Sequence, residues 1–374
     1  RPGPVLVDIP NDIQQQEISY EEFNKLFDKE VQLEGYEPTY VGHPVQIKRA
    51  LSLIKKAKKP LIIAGAGVMK SGASKELLEL ANKMDMPVTT TLLGLGAFPE
   101  NHDLSLGMLG MHGTVPANYA TDEADLVIAA GIRFDDRIAG NPSKFCERAK
   151  IIHIDIDPAE IDKNKKADVP IVGDLKNVLS EINKELEPQD HKEWTDKVKE
   201  WKKEYPLAHR DVGKDKLLPQ EVLKAINDIL DGDTIVVTDV GQHQMWAAQY
   251  MTYKNANSIV TSGGAGTMGF GLPAAIGAQI GAPDKKVVLI VGDGGFQMTL
   301  EEIMMIRQYN LPVKIVIINN SFLGMVRQWQ ELFKDRRYSF VDLECNPDFV
   351  KIADAYGIKS ERLKTKADLE NKLK

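Results

Sequence analysis

Asp293 and Asn320 carry the most informative spacing in this chain. Asp293 stands directly after the apolar run Lys286 to Val291, inside Gly292-Asp293-Gly294-Gly295, a turn that opens into a helix. Asn319-Asn320 closes the next apolar run, Val313 to Ile318, and Asn320 lies 27 positions beyond Asp293 (320 minus 293). In an open α/β sheet, ligands bind beyond the carboxyl ends of the strands, so both side chains emerge at a ligand-binding edge. A carboxylate and an amide oxygen are hard donors. With two phosphate oxygens, a backbone carbonyl and a water they fill the near-octahedral shell that Mg²⁺ demands. The glycines let backbone N–H groups approach a phosphate at a helix start, where the dipole favours an anion.

Such a site needs parallel strands with crossover helices, and the sequence supplies them twice. In the first half, Pro60 to Ala64, Pro87 to Thr91, Asp125 to Gly131 and Lys150 to Asp157 read as strands, with a helix from Ser74 to Met84. In the second half the strands are Thr234 to Thr238, Lys286 to Val291 and Val313 to Ile318, with helices at Ala274 to Ile280 and Thr299 to Tyr309. The fold class is therefore α/β, with two doubly wound parallel-sheet domains. Between the halves, a charged segment with poor strand character holds Trp194 and Trp201, seven apart and so on one helical face, as packing anchors. The expected division is 1–40 as the tail of a preceding domain plus linker, 41–184, a connector at 185–215, and 216–374. Arg1 to Pro10 reads as a strand entering a turn, and Lys366 to Lys374 as a helix without an exit, so both ends look cut.

The 374 residues are 43% hydrophobic and 27% charged, enough for more than one core. A net charge of -7 argues against nucleic-acid binding, because no basic surplus exists to neutralise phosphates. Lys55-Lys56 and Lys58-Lys59 fall at a helix end, where cations complement the dipole. Two cysteines, Cys146 and Cys345, match no metal spacing and suit a reducing compartment. No apolar run is long enough to span a membrane and no targeting peptide is visible, so the expected location is the cytoplasm.

The Gly-Asp-Gly…Asn-Asn spacing resembles the signature of thiamin-diphosphate enzymes. That resemblance implies that Asp293, Asn320 and the carbonyl of Phe322 hold Mg²⁺. Three further strings, Val240 to Trp246, Thr261 to Gly269 and Gly324 to Gln330, are similar to those of acetolactate (acetohydroxyacid) synthases in the same order along nearly the whole chain. The resemblance implies that Gln242 and His243 reach the diphosphate, and that Gly292, Gly294 and Gly295 offer it backbone donors. Met268 would lie beneath the cofactor and force its bent shape. Trp329 would select the second 2-oxoacid, with Met325 and Val326 lining the same pocket. Taken singly, each of these would be an ordinary core, capping or helix-packing residue; the shared order and spacing overturn that reading.

Gly110-Met111-His112-Gly113 and Arg133-Phe134-Asp135-Asp136-Arg137 resemble the FAD-binding central domain of the biosynthetic synthases. By that likeness Gly65, Gly67, Thr91, Met111, His112, Arg133, Asp135, Asp155 and Asp174 surround FAD, together with Gly263 and Gly264. Arg137 and Met111 would face the substrate channel. Gly65-Ala66-Gly67-Val68 is not a full Gly-x-Gly-x-x-Gly and carries no dinucleotide claim by itself.

The resemblance implies Mg²⁺-dependent decarboxylation of pyruvate and carboligation to pyruvate or 2-oxobutyrate, giving 2-acetolactate or 2-aceto-2-hydroxybutyrate. This is the first common step of branched-chain amino-acid synthesis. It also implies a homodimer or tetramer with the site at a subunit interface, and a small regulatory subunit. The family's glutamate at the aminopyrimidine lies on an N-terminal domain that precedes this chain's start, so none is assigned and these residues alone are expected to be inactive. Competing readings are a catabolic acetolactate synthase, a glyoxylate carboligase, and a non-catalytic dinucleotide-binding protein.

Overall fold

The computed structural model describes residues 6–27 and 36–373. Its first sheet holds β1 (Pro60–Ala64), β2 (Val88–Thr90), β3 (Ser105–Met108), β4 (Leu126–Ala130), β5 (Lys150–Asp155) and β6 (Val169–Val172), in the order β3-β2-β1-β4-β5-β6. Its second holds β7 (Ile235–Thr238), β8 (Ile259–Thr261), β9 (Val287–Gly292) and β10 (Lys314–Ile318), ordered β10-β9-β7-β8. Every pairing in both sheets is parallel. β1 and β4 are buried at every residue. They are near-continuous apolar runs because helices cover both faces of a parallel sheet.

Apart from the amino end, the expected strands and helices are present, with edges displaced by up to three residues. Three strands went unread: β3, β6 and β8. All three are sheet edges. β3 contains Gly107, β6 contains Pro170 and β8 is three residues long, the features tolerated at edges and avoided in sheet centres. The stretch Thr299 to Tyr309 is broken, a 3₁₀ turn at Leu300–Glu302 preceding the helix Ile303–Gln308.

Of the strand expected over Arg1 to Pro10, the described residues 6–10 form none. Pro10 instead caps the short helix Asn11–Gln14, whose Gln14 donates to the Ile9 and Pro10 carbonyls; Arg1 to Val5 lie outside the described residues. At the other end the helix Lys366–Lys372 does have an exit, with Leu373 as its C-cap, and Thr365 and Asp368 form a capping box at its start. The charged connector is a helix, Lys192–Glu204, docked on the first sheet's surroundings. Trp194 is buried and its Nε1 donates to the Pro60 carbonyl at 3.0 Å, while Trp201 meets it edge-on at 5.8 Å. Cys146 is buried, Cys345 is exposed, and both are free. Among the described residues no helix is long and apolar enough to cross a membrane.

The two sheets are joined through packing as well as chain. Leu95 and Met108 belong to the same buried cluster as Leu223, Val236, Tyr253 and Ile290. Glu100 N–H donates to the Tyr253 carbonyl at 3.1 Å, and Tyr253 N–H returns a bond to the Glu100 carboxylate at 2.7 Å. Gln249 Nε2 donates to the His112 carbonyl at 2.8 Å.

Candidate cofactor sites

Strand order now locates the places where ligands can bind. In the second sheet the order reverses between β7 and β9, and the crevice at such a switch point is where an open α/β sheet takes its ligand. Asp239 follows β7 and Asp293 follows β9, so the two carboxylates flank that point. Ile318 of β10 pairs with Gly292 of β9. Asn320, two residues beyond the one, is thereby brought beside Asp293, one residue beyond the other.

Asp293 is buried at 1% exposure, in the first turn of the short helix Asp293–Gln297. Its Oδ2 accepts from Ser321 N at 3.0 Å and from Asn346 Nδ2 at 2.6 Å. Burial raises its carboxyl above the ordinary value, and the bond from Asn346 leads the contacts that oppose the rise. Asn320 Oδ1 accepts from Phe322 N at 3.1 Å, across a turn whose centre, Ser321, holds φ at +62°. A positive φ at a non-glycine residue is uncommon and marks a loop held by its surroundings.

His243 and Gln242 start the helix Gln242–Tyr250, reached through Gly241. His243 is buried, and burial drives its pKa down to about 4, so the ring is neutral. Its Nε2 has no partner among the described residues, a position that calls for a ligand or water. Gln242 Nε2 donates to Gln328 Oε1 at 3.3 Å. Glycine is required at 292 and 295 by the protein itself: a Cβ on Gly292 would stand 2.9 Å from His243 Nδ1, and one on Gly295 2.2 Å from Asp239 Oδ1. Gly294 packs beneath Leu323 and Leu343, with the half-buried Met268 close by.

The first sheet's order reverses between β1 and β4, the arrangement of dinucleotide-binding folds. A cleft of about 760 Å³ opens there and is closed on its far side by the second unit. Its walls include Gly67, Thr91, Met111, His112, Arg133 and Asp135 from the first unit, then Arg137, Asp155 and Asp174. The second unit contributes Gly263, Gly264, Met325 and Trp329. Gly65 does not line the cleft. It packs on Gly131, whose carbonyl a Cβ would meet at 2.3 Å.

Asp135 caps its helix by accepting from Arg137 N at 3.1 Å and also reaches Arg133 at 3.4 Å. Asp174 caps the helix Leu175–Glu185, and Asp155 accepts from Asp157 N at 2.9 Å, with burial raising its pKa. The pKa of His112 is lowered from its ordinary value, by burial first and then by the Arg137 charge. Across the cleft the Arg137 guanidinium lies 5.5 Å from the Trp329 ring, so two residues 192 positions apart (329 minus 137) meet.

Two residues at the switch point were not read from sequence. Asp239 is fully buried and accepts from Gly269 N at 3.2 Å and Gly271 N at 2.7 Å, holding the turn that carries Met268. A strand-end Asp followed by Gly241 is the same cue that marked Asp293. Asn346 gave no cue beyond Asn-Pro, which reads as a turn.

A family model described as "Thiamine pyrophosphate enzyme, central domain" matches residues 47–182, and one described as "Thiamine pyrophosphate enzyme, C-terminal TPP binding domain" matches 239–374. The chain is 47% identical over 390 residues to a protein of Methanococcus aeolicus and 48% over 383 to one of Methanocaldococcus jannaschii, each named "Probable acetolactate synthase large subunit". It is 45% identical over 377 residues to the acetolactate synthase large subunit of Lactococcus lactis. All of this chain is covered in each comparison, against 65%, 64% and 64% of those proteins.

Proposed function

Because the chain belongs to the thiamine pyrophosphate enzymes, in the family of acetolactate synthase large subunits, we propose that it forms two of the domains of a synthase. That enzyme decarboxylates pyruvate and joins the two-carbon unit to a second 2-oxoacid, pyruvate or 2-oxobutyrate. Since the chain spans about 65% of its relatives' length, the reaction is assigned to the complete polypeptide.

The observation that carries the reading is the meeting of Asp293 and Asn320 at neighbouring strand ends, beside a buried His243 whose Nε2 lacks a partner among the described residues. This donor set fits Mg²⁺ with a diphosphate. Asp293, Asn320 and the Phe322 carbonyl would hold the cation, whose hard-oxygen preference they meet. His243 would face the diphosphate through its unpartnered Nε2, and Gln242, half-buried one residue earlier, would share that contact. When bound, thiamin diphosphate supplies the electron sink for loss of CO₂. Met268, supported through Asp239, would prop that cofactor from below. Trp329 and Arg137 would shape the entry for the second 2-oxoacid, with Met325 and Val326 beside them.

The cleft at the first sheet's switch point is of a size typical for bound ligands. It would take FAD, with Arg133 giving a charge-assisted hydrogen bond. The reaction has no net redox change, so FAD would serve structure. A homo-oligomer with a site at the subunit interface, a small regulatory subunit and a cytoplasmic location complete the reading.

The test is acetolactate formation from pyruvate by the complete polypeptide, stripped of cofactors and then supplied with thiamin diphosphate and Mg²⁺, with and without FAD. Activity that needs all three supports the reading. Activity indifferent to FAD moves it to a catabolic or sister carboligase, and absence of acetolactate in both cases sinks the named reaction.

A further inference from the structure

Asn346 sits where the second unit's most remote loop folds back onto the strand ends. Three hydrogen bonds engage both N–H groups and the oxygen of its side-chain amide. Nδ2 donates to Asp293 Oδ2 at 2.6 Å and to Asn319 Oδ1 at 3.1 Å, and Oδ1 accepts from Gln297 Nε2 at 2.9 Å. The orientation is over-determined. Gln297 Nε2 also donates to the Asp293 carbonyl at 3.0 Å, which turns the Gln297 amide so that its nitrogen faces Asn346. Asn346 must then present its oxygen to Gln297 and its two N–H groups to Asp293 and Asn319. One amide thereby ties together the helix Asp293–Gln297 and the residue preceding Asn320.

The loop that delivers Asn346 is fixed from both sides, independently of that amide. Phe322 and Asp342 form an antiparallel bridge, Leu323 N–H donates to Val341 O and Leu343 N–H to Ser321 O, both at 2.8 Å. The Arg327 guanidinium is sandwiched between the rings of Phe322 at 4.3 Å and Tyr338 at 4.1 Å. On the far side Asp348 caps the helix Phe349–Ala355 and pairs with Arg362 at 2.6 Å.

We propose that Asn346 is a positioning residue of the cation site: it fixes the rotation of the Asp293 carboxylate and, through Asn319, the distance between that carboxylate and Asn320. A ligand carboxylate left to rotate loses part of its affinity to orientational freedom. Groups that orient metal ligands from outside the coordination shell typically matter 10- to 100-fold in metal affinity. The inference rests on the assignment of Asp293 and Asn320 to a cation, made above. It adds a residue 53 positions away from Asp293 (346 minus 293) that no motif contains.

The test uses the complete polypeptide with thiamin diphosphate and Mn²⁺ in place of Mg²⁺, free Mn²⁺ being read by its EPR signal. For Asn346→Ala the expected result is a Kd for Mn²⁺ raised about 10-fold or more, with an altered spectrum of the bound ion. FAD affinity should stay at its unsubstituted value. In turnover the Mg²⁺ concentration for half-activation should rise by the same factor, while kcat at saturating Mg²⁺ changes little. Gln297→Leu keeps Asn346 but releases its orientation, and should show a smaller rise, so the idea survives a poorly folding Asn346→Ala. Unchanged Mn²⁺ affinity in both variants, with the unsubstituted protein binding normally, overturns the role of Asn346. No Mn²⁺ binding by the unsubstituted protein overturns the cation assignment itself, and this inference with it.

Discussion

The two sheets follow one plan and are finished differently. Around the first, β1 and β4 are buried throughout, and the helices Pro44–Ile54, Ser74–Lys83 and Leu175–Glu185 each sink three or more residues into the core. Around the second, β8 is only half-buried, and the helices Gly324–Phe333 and Phe349–Ala355 bury no residue fully. Leu332 and Phe333 stand 64% and 59% exposed. The first unit is a closed scaffold whose ligand cleft is a broad space beside it. The second is an open one, and its chemistry is concentrated in a few fully buried polar groups: Asp239, His243 and Asp293. On the proposed reading, binding in the first would be a property of the wall and in the second of single atoms.

That contrast breaks most sharply at Asp293. Asp293→Asn removes the one buried carboxylate of the proposed cation set, and should lower acetolactate synthesis by at least about 1000-fold, since a catalytic metal contributes several kcal/mol. Arg133→Ala, one of many wall contacts in the cleft, should weaken FAD binding far less; comparable losses would erase the distinction. In the cores, Ile128→Ala in β4 should cost about 2–5 kcal/mol of stability by leaving a cavity. Leu332→Ala on the exposed helix face should stay within about 0.5 kcal/mol. Thermal melts of the two variants read the difference.

Where the units face each other the effects shrink. Trp329→Leu removes the ring that meets Arg137 and should shift the preference between 2-oxobutyrate and pyruvate about 10-fold, the scale set by one methylene in an apolar pocket. Competition between the two substrates measures it. Smallest is the Glu100 contact between the units. Burial raises its carboxyl to about 8 from an ordinary 4.5, so the folded protein holds a proton that the unfolded chain releases. Its favourable contribution is present below about 4.5 and is lost as the pH rises through 8. Glu100→Gln should raise the melting midpoint by a few degrees at pH 9 and leave it unchanged at pH 4.

Much of this was legible because parallel sheets write central strands as apolar runs. Pro60 to Ala64 and Lys286 to Val291 could be little else, and Asp293 and Asn320 were found by following those runs to their ends. The edge strands β3, β6 and β8 escaped because an edge strand need not be apolar on both sides. Asn346 escaped for another reason: its function comes from a loop returning across 53 residues (346 minus 293), a placement set by tertiary packing that leaves no local period. The meeting of Arg137 with Trp329 was likewise beyond the sequence, where resemblance places Arg137 at the substrate channel and Trp329 at the choice of the second 2-oxoacid.

The most direct test of the account is calorimetric titration of thiamin diphosphate into the complete polypeptide, unsubstituted and as Asp293→Asn, with Mg²⁺ and again with a chelator. The account predicts binding that needs Mg²⁺ and is lost in Asp293→Asn, while FAD still binds that variant. Thiamin diphosphate binding of equal affinity in both proteins, or binding indifferent to the chelator, would contradict it.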